Sequence, residues 1–319
     1  MIDVVNLALP FFGLIFLGYA CGKYKQIPDT GLAWMNFFLI YVALPVLFYR
    51  VMARTPFEQV ANPRFVVATT ISTFIAFALA FLVTSLVRRG QFPQAVIAGL
   101  AGGYGNIGYM GPGLAFATLG VEAAAPIALI FCFDNILLFT LVPLLMAFAG
   151  SRDKSLATTI GEILRGVLLH PFIIATVLGV ISAALQLQLP IALDRMMQFL
   201  ENAAAPCALF VLGVTVALRP MTKVAWEVPA VVLIKLVAHP LLALTMLSIL
   251  GPQPATWVYT AVLMAALPPA LNGFIMARQY DTWVPQASSS VLLGTLVSVL
   301  TLTTVMWLVK AKLLPTALF

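Results

Sequence analysis

The chain has 319 residues, of which 62% are hydrophobic and 9% are charged, and its mean hydropathy is +1.05. This composition excludes a soluble globular domain, which would expose more apolar surface than water tolerates. The formal charge of +6 does not indicate nucleic-acid binding, because the basic residues are scattered between apolar segments and form no patch. We therefore expect a polytopic protein that lies in the lipid bilayer.

A helix needs about 20 mostly apolar residues to cross a bilayer. The sequence predicts ten such segments, at residues 4–22, 31–53, 64–87, 94–119, 124–148, 162–187, 193–218, 226–250, 256–278 and 284–311. The first is expected to stay in the protein, because Asp3 stands where a signal peptide carries a basic residue. Cys21, Cys132 and Cys207 are widely spaced in apolar segments, which predicts neither disulfides nor a metal site.

The two halves of the chain match at a constant offset of 161 residues. Identical residues at this offset include the pairs Pro10 and Pro171, Gly18 and Gly179, Phe38 and Phe199, and Pro45 and Pro206. Each half contains five predicted helices, an odd number, so the second half must enter the membrane from the opposite side. We therefore predict an inverted repeat of residues 1–150 and 162–319, joined by a short cytoplasmic linker at 151–161.

Segment 4 is interrupted by "GGYGNIGYMGPG" at residues 102–113, and the same offset places "LMAALPPALNGF" at residues 263–274 of segment 9. A helix break at membrane depth is tolerated only inside protein or beside water. Paired interrupted segments in corresponding positions are the best sequence pointer to the site of a secondary transporter. A packing face of small residues is the alternative, and it explains Gly102 and Gly103 but not the two prolines.

A helix that begins at a break exposes free N–H groups and the positive end of its dipole. Two such helix ends that meet at the midplane would hold an anionic group without a buried arginine. The asparagines and the tyrosine add hydrogen-bonding groups. The predicted substrate-binding residues are Asn106, Tyr109, Gly111, Pro112, Pro268, Pro269, Asn272 and Gly273, with free amides near both glycines.

Ionisable residues inside a membrane are functional candidates. Asp134, which Asn135 follows, lies in segment 5, and Lys235 and His239 share one face of segment 8. One hypothesis makes Asp134 the residue that couples transport to H⁺ or Na⁺, with Lys235 or His239 setting its charge. The other makes Asp134 and Lys235 a buried structural pair and His239 a packing residue.

Lysines and arginines near the segment ends predict the orientation. One side of the membrane receives ten of them, Lys23, Lys25, Arg88, Arg89, Arg152, Lys154, Arg165, Arg219, Lys223 and Arg278. The other side receives six, Arg50, Arg54, Arg64, Arg195, Lys310 and Lys312. The side with ten is predicted to be cytoplasmic, which places both termini outside the cytoplasm.

The stretches "GNIGYMGPGLAFATLG", "LPPALNGFIMARQY" and "NAAAPCALFVLGVTVAL" resemble the auxin efflux carrier family, in particular its bacterial members. The resemblance implies a ten-helix fold like that of sodium/bile-acid symporters, with segments 1, 2, 6 and 7 as a scaffold and segments 3–5 and 8–10 as a moving transport domain. It further implies transport of organic anions such as malonate, malate or auxin, a homodimer joined through the scaffold, and the bacterial inner membrane.

The function predicted from these observations is secondary active transport of a small carboxylate by alternating access, at the crossing of segments 4 and 9. A cation/proton antiporter or sodium-coupled symporter of the same fold is the nearest alternative, followed by a channel and a receptor. An enzyme is not expected, because the two histidines lie in different segments without a nearby glutamate. No Gly-Lys phosphate loop is present for direct ATP coupling, and no cofactor is expected.

Overall fold

The structure, a computed structural model, describes residues 2–25, 27–56, 62–149, 168–218 and 224–318, with the isolated positions 158, 161 and 164–166. Across these residues the secondary structure is helical, apart from one isolated β-bridge. The predicted linker at 151–161 and the start of segment 6 lie largely outside the described residues. So do the predicted topology charges Arg152, Lys154, Arg219 and Lys223.

The helices follow the predicted segments closely. In the first half they are α1 (Ile2–Tyr24), α2 (Asp29–Phe38), α3 (Leu44–Ala53), α4 (Pro63–Val87), α5 (Phe92–Gly103), α6 (Gly111–Leu119) and α7 (Ala124–Phe148). In the second half they are α8 (Pro171–Ala184), α9 (Ile191–Ala217), α10 (Glu227–Leu233), α11 (His239–Leu250), α12 (Ala255–Ala265), α13 (Leu271–Gln279) and α14 (Val284–Lys310).

By length and composition, six helices in the described part of the chain can cross a membrane: Thr30–Ala53, Pro63–Val87, Val121–Phe148, Ile191–Ala217, Glu227–Leu250 and Val284–Lys310. Two shorter apolar helices, Phe92–Gly103 and Ala255–Ala265, are the first halves of the interrupted segments. The protein is therefore an all-helical, polytopic membrane protein, as predicted. The count of ten spans and the inverted symmetry stay predictions.

Two of the long helices contain a single π-helical turn, at Leu39–Ala43 and at Ile234–Ala238. In each case a proline, Pro45 or Pro240, follows within two residues. Proline has no N–H and its ring clashes with the carbonyl four residues earlier, so the backbone widens to accommodate it. The expected loosening of segment 8 at Pro240 thus takes the form of a π turn that contains Lys235.

The chain divides into two compact units, each drawn from both halves of the sequence. Unit 1 comprises residues 1–62, 108–129 and 169–220, and unit 2 comprises residues 63–107, 130–168 and 221–319. The predicted scaffold and transport domains stay predictions, as does the division of the chain into two five-helix repeats.

In unit 1, glycines allow helices to pack with their backbones close together. A Cβ atom at Gly18 of α1 would overlap the backbone of Phe210 in α9, and one at Gly213 of α9 would overlap that of Ile15. Helix α3 packs on α8, where the Tyr49 hydroxyl donates to Ser182 Oγ at 3.1 Å. Helix α9 also packs on α3, so α1, α3, α8 and α9 form one packed group.

In unit 2, α4 and α5 pack in the same way. A Cβ atom at Gly99 would lie 2.9 Å from the ring of Phe77, and one at Gly103 would lie 3.0 Å from the carbonyl of Thr73. Gly102 meets Ala80 of α4. The packing interpretation of Gly102 and Gly103 is therefore confirmed, and it applies to the end of α5 before the break.

Candidate functional site

The first break separates α5 from α6 and covers residues 104–110. Helix α5 ends at Gly103, and the next residue, Tyr104, is extended with φ −92° and ψ 106°. Helix α6 begins with Gly111 and Pro112, where a proline costs no hydrogen bond because the first amides of a helix have no intrahelical acceptor. The break thus begins directly after the packed glycines and ends where Gly111 and Pro112 begin the next helix.

The second break separates α12 from α13 and covers residues 266–270. Pro268 and Pro269 lie within it and remove two backbone donors in succession. The ring of Pro269 lies against Gly294 of α14, where any side chain would overlap it. The two prolines and this glycine therefore fix the backbone at the break.

Within unit 2, residues 104–107 of the first break lie against the second break. Gly105 and Pro269 form an isolated antiparallel β-bridge. The amide of Asn106 donates to the carbonyl of Pro268 at 2.8 Å, and the amide of Ala270 donates to the carbonyl of Tyr104 at 3.0 Å. Each break thus satisfies backbone groups of the other, which is how irregular backbone persists away from water.

Asn106 carries an unpaired donor at this meeting point. Its side chain is buried, and its Nδ2 atom has no hydrogen-bond partner among the described residues. A buried amide without a partner costs about 1–3 kcal/mol. Such a group is expected where a ligand or a water supplies the missing acceptor.

Asn272 lies at the start of α13 and is linked to the first break by a chain of hydrogen bonds. Its Nδ2 atom donates to the Tyr104 hydroxyl at 3.5 Å, and this hydroxyl donates to Asn135 Oδ1 at 2.6 Å. Asn135 Nδ2 in turn donates to the carbonyl of Phe131 at 2.6 Å. Asn135, predicted beside the coupling residue, is therefore bonded to the break itself.

The other predicted binding residues are divided between the two units. Tyr109, Gly111 and Pro112 belong to unit 1, where the Tyr109 hydroxyl donates to Asn36 Oδ1 at 3.3 Å. The amide of Gly273 itself is not free, since it donates to the carbonyl of Ala270 at 3.1 Å, and the free amides expected near it stay a prediction. The turn at the start of α13 bends far enough to form that bond. Open space adjoins Gly273, since a Cβ atom there would meet nothing within 4 Å.

Lys235 is fully buried in the π turn, next to the breaks. Its Nζ atom donates to the carbonyl of Ala265, the last residue of α12, and lies 3.1 Å from His239 Nδ1. A Cβ atom at Gly105 would lie 3.1 Å from Nζ, so only glycine fits there without displacing the lysine. The ammonium thus lies at the negative end of the α12 dipole.

His239 takes part through both ring nitrogens, which confirms that it shares a helix face with Lys235. Its Nε2 atom lies 3.2 Å from the hydroxyl of Thr73 on α4. When Lys235 is protonated its ammonium can only donate, so His239 Nδ1 then accepts and the ring proton is on Nε2. The histidine therefore connects the lysine to α4.

Asp134 is buried in unit 2 and lines a cavity of about 10 Å³, room for one water molecule, together with Thr69, Ser72, Thr73 and His239. Its Oδ1 atom has no hydrogen-bond partner among the described residues. Within those same residues, no Asp134 oxygen lies within 4.0 Å of Lys235 Nζ. The hydrogen bonds of Lys235 go to Ala265 and His239, while Asp134 interacts with the lysine at longer range through its charge, so the alternative of a buried structural pair stays a prediction.

Two arginines assigned to topology have structural partners that the sequence patterns do not predict. Buried Arg50 donates from Nε to Glu201 Oε2 at 2.6 Å and from Nη1 to Asp194. Arg88 donates from Nε to Oε1 of the fully buried Glu227 at 2.9 Å. No local pattern signals such pairs, because the partners are separated by 139 to 151 residues.

Tyr104 is the third residue that was missed, although it lies inside the quoted glycine-rich stretch. The sequence does contain a signal for its role. An aromatic hydroxyl between two glycines at a helix break has few neighbours in the sequence to cover it, so it needs a partner from elsewhere in the chain. The structure makes it the link between Asn272 and Asn135.

Comparison of the amino-acid sequence with those of known proteins shows which family it resembles. The profile described as "Membrane transport protein" matches residues 3–306. A Rhizobium meliloti protein named "Putative malonate transporter" is 45% identical over 319 residues, the full length of both chains. "Auxin efflux carrier component 5" of Arabidopsis thaliana is 23% identical over 92% of this chain and 93% of its own. "Uncharacterized transporter YfdV" of Escherichia coli is 22% identical, with the same coverage.

A profile match over nearly the whole chain and a full-length relative at 45% identity agree with the resemblance seen in the two broken segments. The chain belongs to the auxin efflux carrier-like membrane transport protein family.

Proposed function

We propose that the protein is a secondary active transporter of a small carboxylate, which binds at the paired breaks of segments 4 and 9. The observation that carries the proposal is the unpaired Asn106 amide beside the β-bridge of Gly105 and Pro269. A carboxylate oxygen is the acceptor that this buried donor lacks. Open space also adjoins Gly273 at the start of α13.

The electrostatics of unit 2 favour an anion here. The amides of Leu271 and Asn272 have no backbone acceptor among the described residues, and they point outward from the positive end of α13. When protonated, Lys235 adds a positive charge, which Asp134 offsets in part from a distance greater than 4.0 Å. Together these groups supply donors and positive charge at one end of a site.

The name of the Rhizobium meliloti relative makes malonate the first substrate to test, with malate and auxin-like acids next. Transport by alternating access, a scaffold of segments 1, 2, 6 and 7, and a homodimer joined through that scaffold complete the proposal. The bacterial inner membrane, with both termini outside the cytoplasm, is the proposed location.

The binding site is tested by thermal stabilisation of the purified protein with malonate, malate, indole-3-acetate and acetate. One anion class is expected to stabilise the wild type, and Asn106→Ala or Asn272→Ala is expected to weaken its binding about tenfold or more, the value of one hydrogen bond to a charged group. Exposed Asn6 supplies the control Asn6→Ala. Unchanged stabilisation in both site variants would refute the site.

Asp134 is proposed as the coupling residue, because its unpaired oxygen faces a water-sized cavity lined by hydroxyls. A proton or a sodium ion that enters this cavity would neutralise the carboxylate. The same observation supports the second candidate function, a cation/proton antiporter of this fold. Stabilisation by sodium or by pH alone, with no response to any anion, would favour that second function.

Gradient-driven uptake in proteoliposomes tests the coupling role. The Asp134→Asn variant is expected to lose accumulation driven by a proton or sodium gradient while it retains exchange of labelled substrate. Asp281→Asn, at an exposed position in unit 2, is the matched control and is expected to behave as wild type. Normal accumulation in Asp134→Asn would remove this residue from the coupling step.

A further inference from the structure

Unit 1 contains a cavity of about 740 Å³, a volume typical of small-molecule sites. Its apolar wall includes Leu47, Val51 and Phe116. Its polar wall consists of Arg54, Glu122, Glu201 and Asn202. None of these residues belongs to the site proposed above, and the cavity differs from it in having an arginine at its edge.

Arg54 has a positive charge that the described residues only weakly compensate. Among them, the one carboxylate oxygen within 4.0 Å is Asp194 Oδ1, at 3.7 Å from Nη2. Arg50 already engages this same oxygen from its buried position, so Asp194 is shared between two guanidinium groups. The Arg54 side chain is 60% exposed, which leaves most of its five donors available to a ligand.

The remaining polar groups of the wall leave room for an anion. The Glu201 carboxylate accepts from Arg50 Nε at 2.6 Å, so this buried arginine compensates its negative charge. The Asn202 side chain, one residue further on α9, is exposed and brings an amide donor. Glu122 adds one negative charge, which would weaken the binding of an anion without blocking the cavity.

The cavity also touches the helix that carries part of the predicted site. Gly113 of α6 lines it, one residue after Pro112 and two after Gly111. Within unit 1, an anion in the cavity would therefore lie beside the first turn of α6.

We propose that this cavity is a second anion-binding site, which captures a small carboxylate through Arg54 and Asn202 against the apolar wall of Leu47, Val51 and Phe116. The choice of a carboxylate rests on the proposed function. The guanidinium binds the carboxylate in the two-pronged geometry that arginine favours. Glu122 sets the affinity low enough for the anion to leave again.

The experiment is calorimetric titration of the purified protein with malonate. The wild type is expected to bind at two sites per chain, and Arg54→Gln is expected to weaken one of them about three- to tenfold. Glu122→Gln is expected to strengthen that same site by a similar factor. Arg195→Gln, an exposed arginine of α9 that does not line the cavity, makes the same change in charge and is expected to change neither site.

The outcomes separate this inference from the proposed function. Loss of one site in Arg54→Gln and of the other in Asn106→Ala supports both. If Arg54→Gln and Glu122→Gln bind like Arg195→Gln, the cavity site is overturned, whatever Asn106→Ala does. If Asn106→Ala binds like wild type while Arg54→Gln loses a site, the cavity site stands and the site at the breaks fails. A wild type that binds a single malonate, insensitive to Arg54→Gln, overturns the cavity site.

Discussion

Tyr104 illustrates what single residues contribute to this protein. Its hydroxyl accepts from Asn272 and donates to Asn135, so it joins the second break to α7 through the first. Asn272 is only half-buried, and without this bond its side chain would be free to turn away from the break. We therefore regard Tyr104 as a positioning residue for the proposed carboxylate site.

Removal of this hydroxyl tests that role. Tyr104→Phe keeps the ring and is expected to weaken substrate binding about three- to tenfold, because one net hydrogen bond contributes about 1 kcal/mol. Tyr259→Phe removes a hydroxyl that donates to the carbonyl of Leu314 at 3.3 Å, elsewhere in unit 2, and is the control. Equal affinities in the two variants, measured by the thermal-shift titration, would show that Tyr104 is not needed to orient Asn272.

At the scale of elements, the interrupted helices depend on glycine and proline in complementary ways. Proline removes donors from the chain and so prevents α12 from continuing through residues 268 and 269. Glycine provides the space in which the break fits, since Gly105 accommodates Lys235 and Gly294 accommodates Pro269. The paired breaks thus depend on four glycine and proline positions on three different segments of the chain, Gly105, Pro268, Pro269 and Gly294.

Gly294→Ala tests this dependence. The added Cβ atom would overlap the ring of Pro269, so the break is expected to shift and binding to fall while the thermal stability drops by about 1–3 kcal/mol. Gly13→Ala in α1 meets only Leu9 at 3.9 Å and is the control, with stability unchanged or higher by up to about 1 kcal/mol. If Gly294→Ala keeps wild-type affinity and stability, the fit between α14 and the break is not required.

At the scale of the whole molecule, each unit combines stretches from both halves of the chain. This arrangement is one reason why partners such as Arg50 and Glu201 lie far apart in sequence. The ion pairs within each unit also bear on the count of lysines and arginines that predicted the orientation of the protein in the membrane. Arg50 and Arg88 serve buried or half-buried ion pairs, so they are weaker topology signals than exposed loop residues.

The orientation itself is open to direct measurement. In a variant with Cys21, Cys132 and Cys207 replaced by alanine, a single cysteine is introduced as Arg195→Cys or Arg278→Cys, both at exposed positions. With both termini outside, a membrane-impermeant maleimide is expected to label Arg195→Cys on intact cells. Labelling of Arg278→Cys is then expected only after permeabilisation, and the reverse result would invert the topology.

The sequence by itself determined the class of the protein and the location of its interruptions. Apolar runs of about 20 residues predict membrane helices because the bilayer core sets their length. Glycine and proline predict breaks because they act on the backbone locally, and the structure places both breaks within the two quoted stretches. The family resemblance rests on the two interrupted segments and on residues 202–218 of segment 7.

Only the tertiary structure decided which polar groups are paired and which are not. It directs the hydrogen bonds of Lys235 to Ala265 and His239, and those of Arg50 to Glu201 and Asp194. It also leaves the Asn106 amide and one Asp134 oxygen without a described partner. The physical reason is that the cost of a buried charge or amide depends on neighbours from distant parts of the chain, which no local pattern specifies.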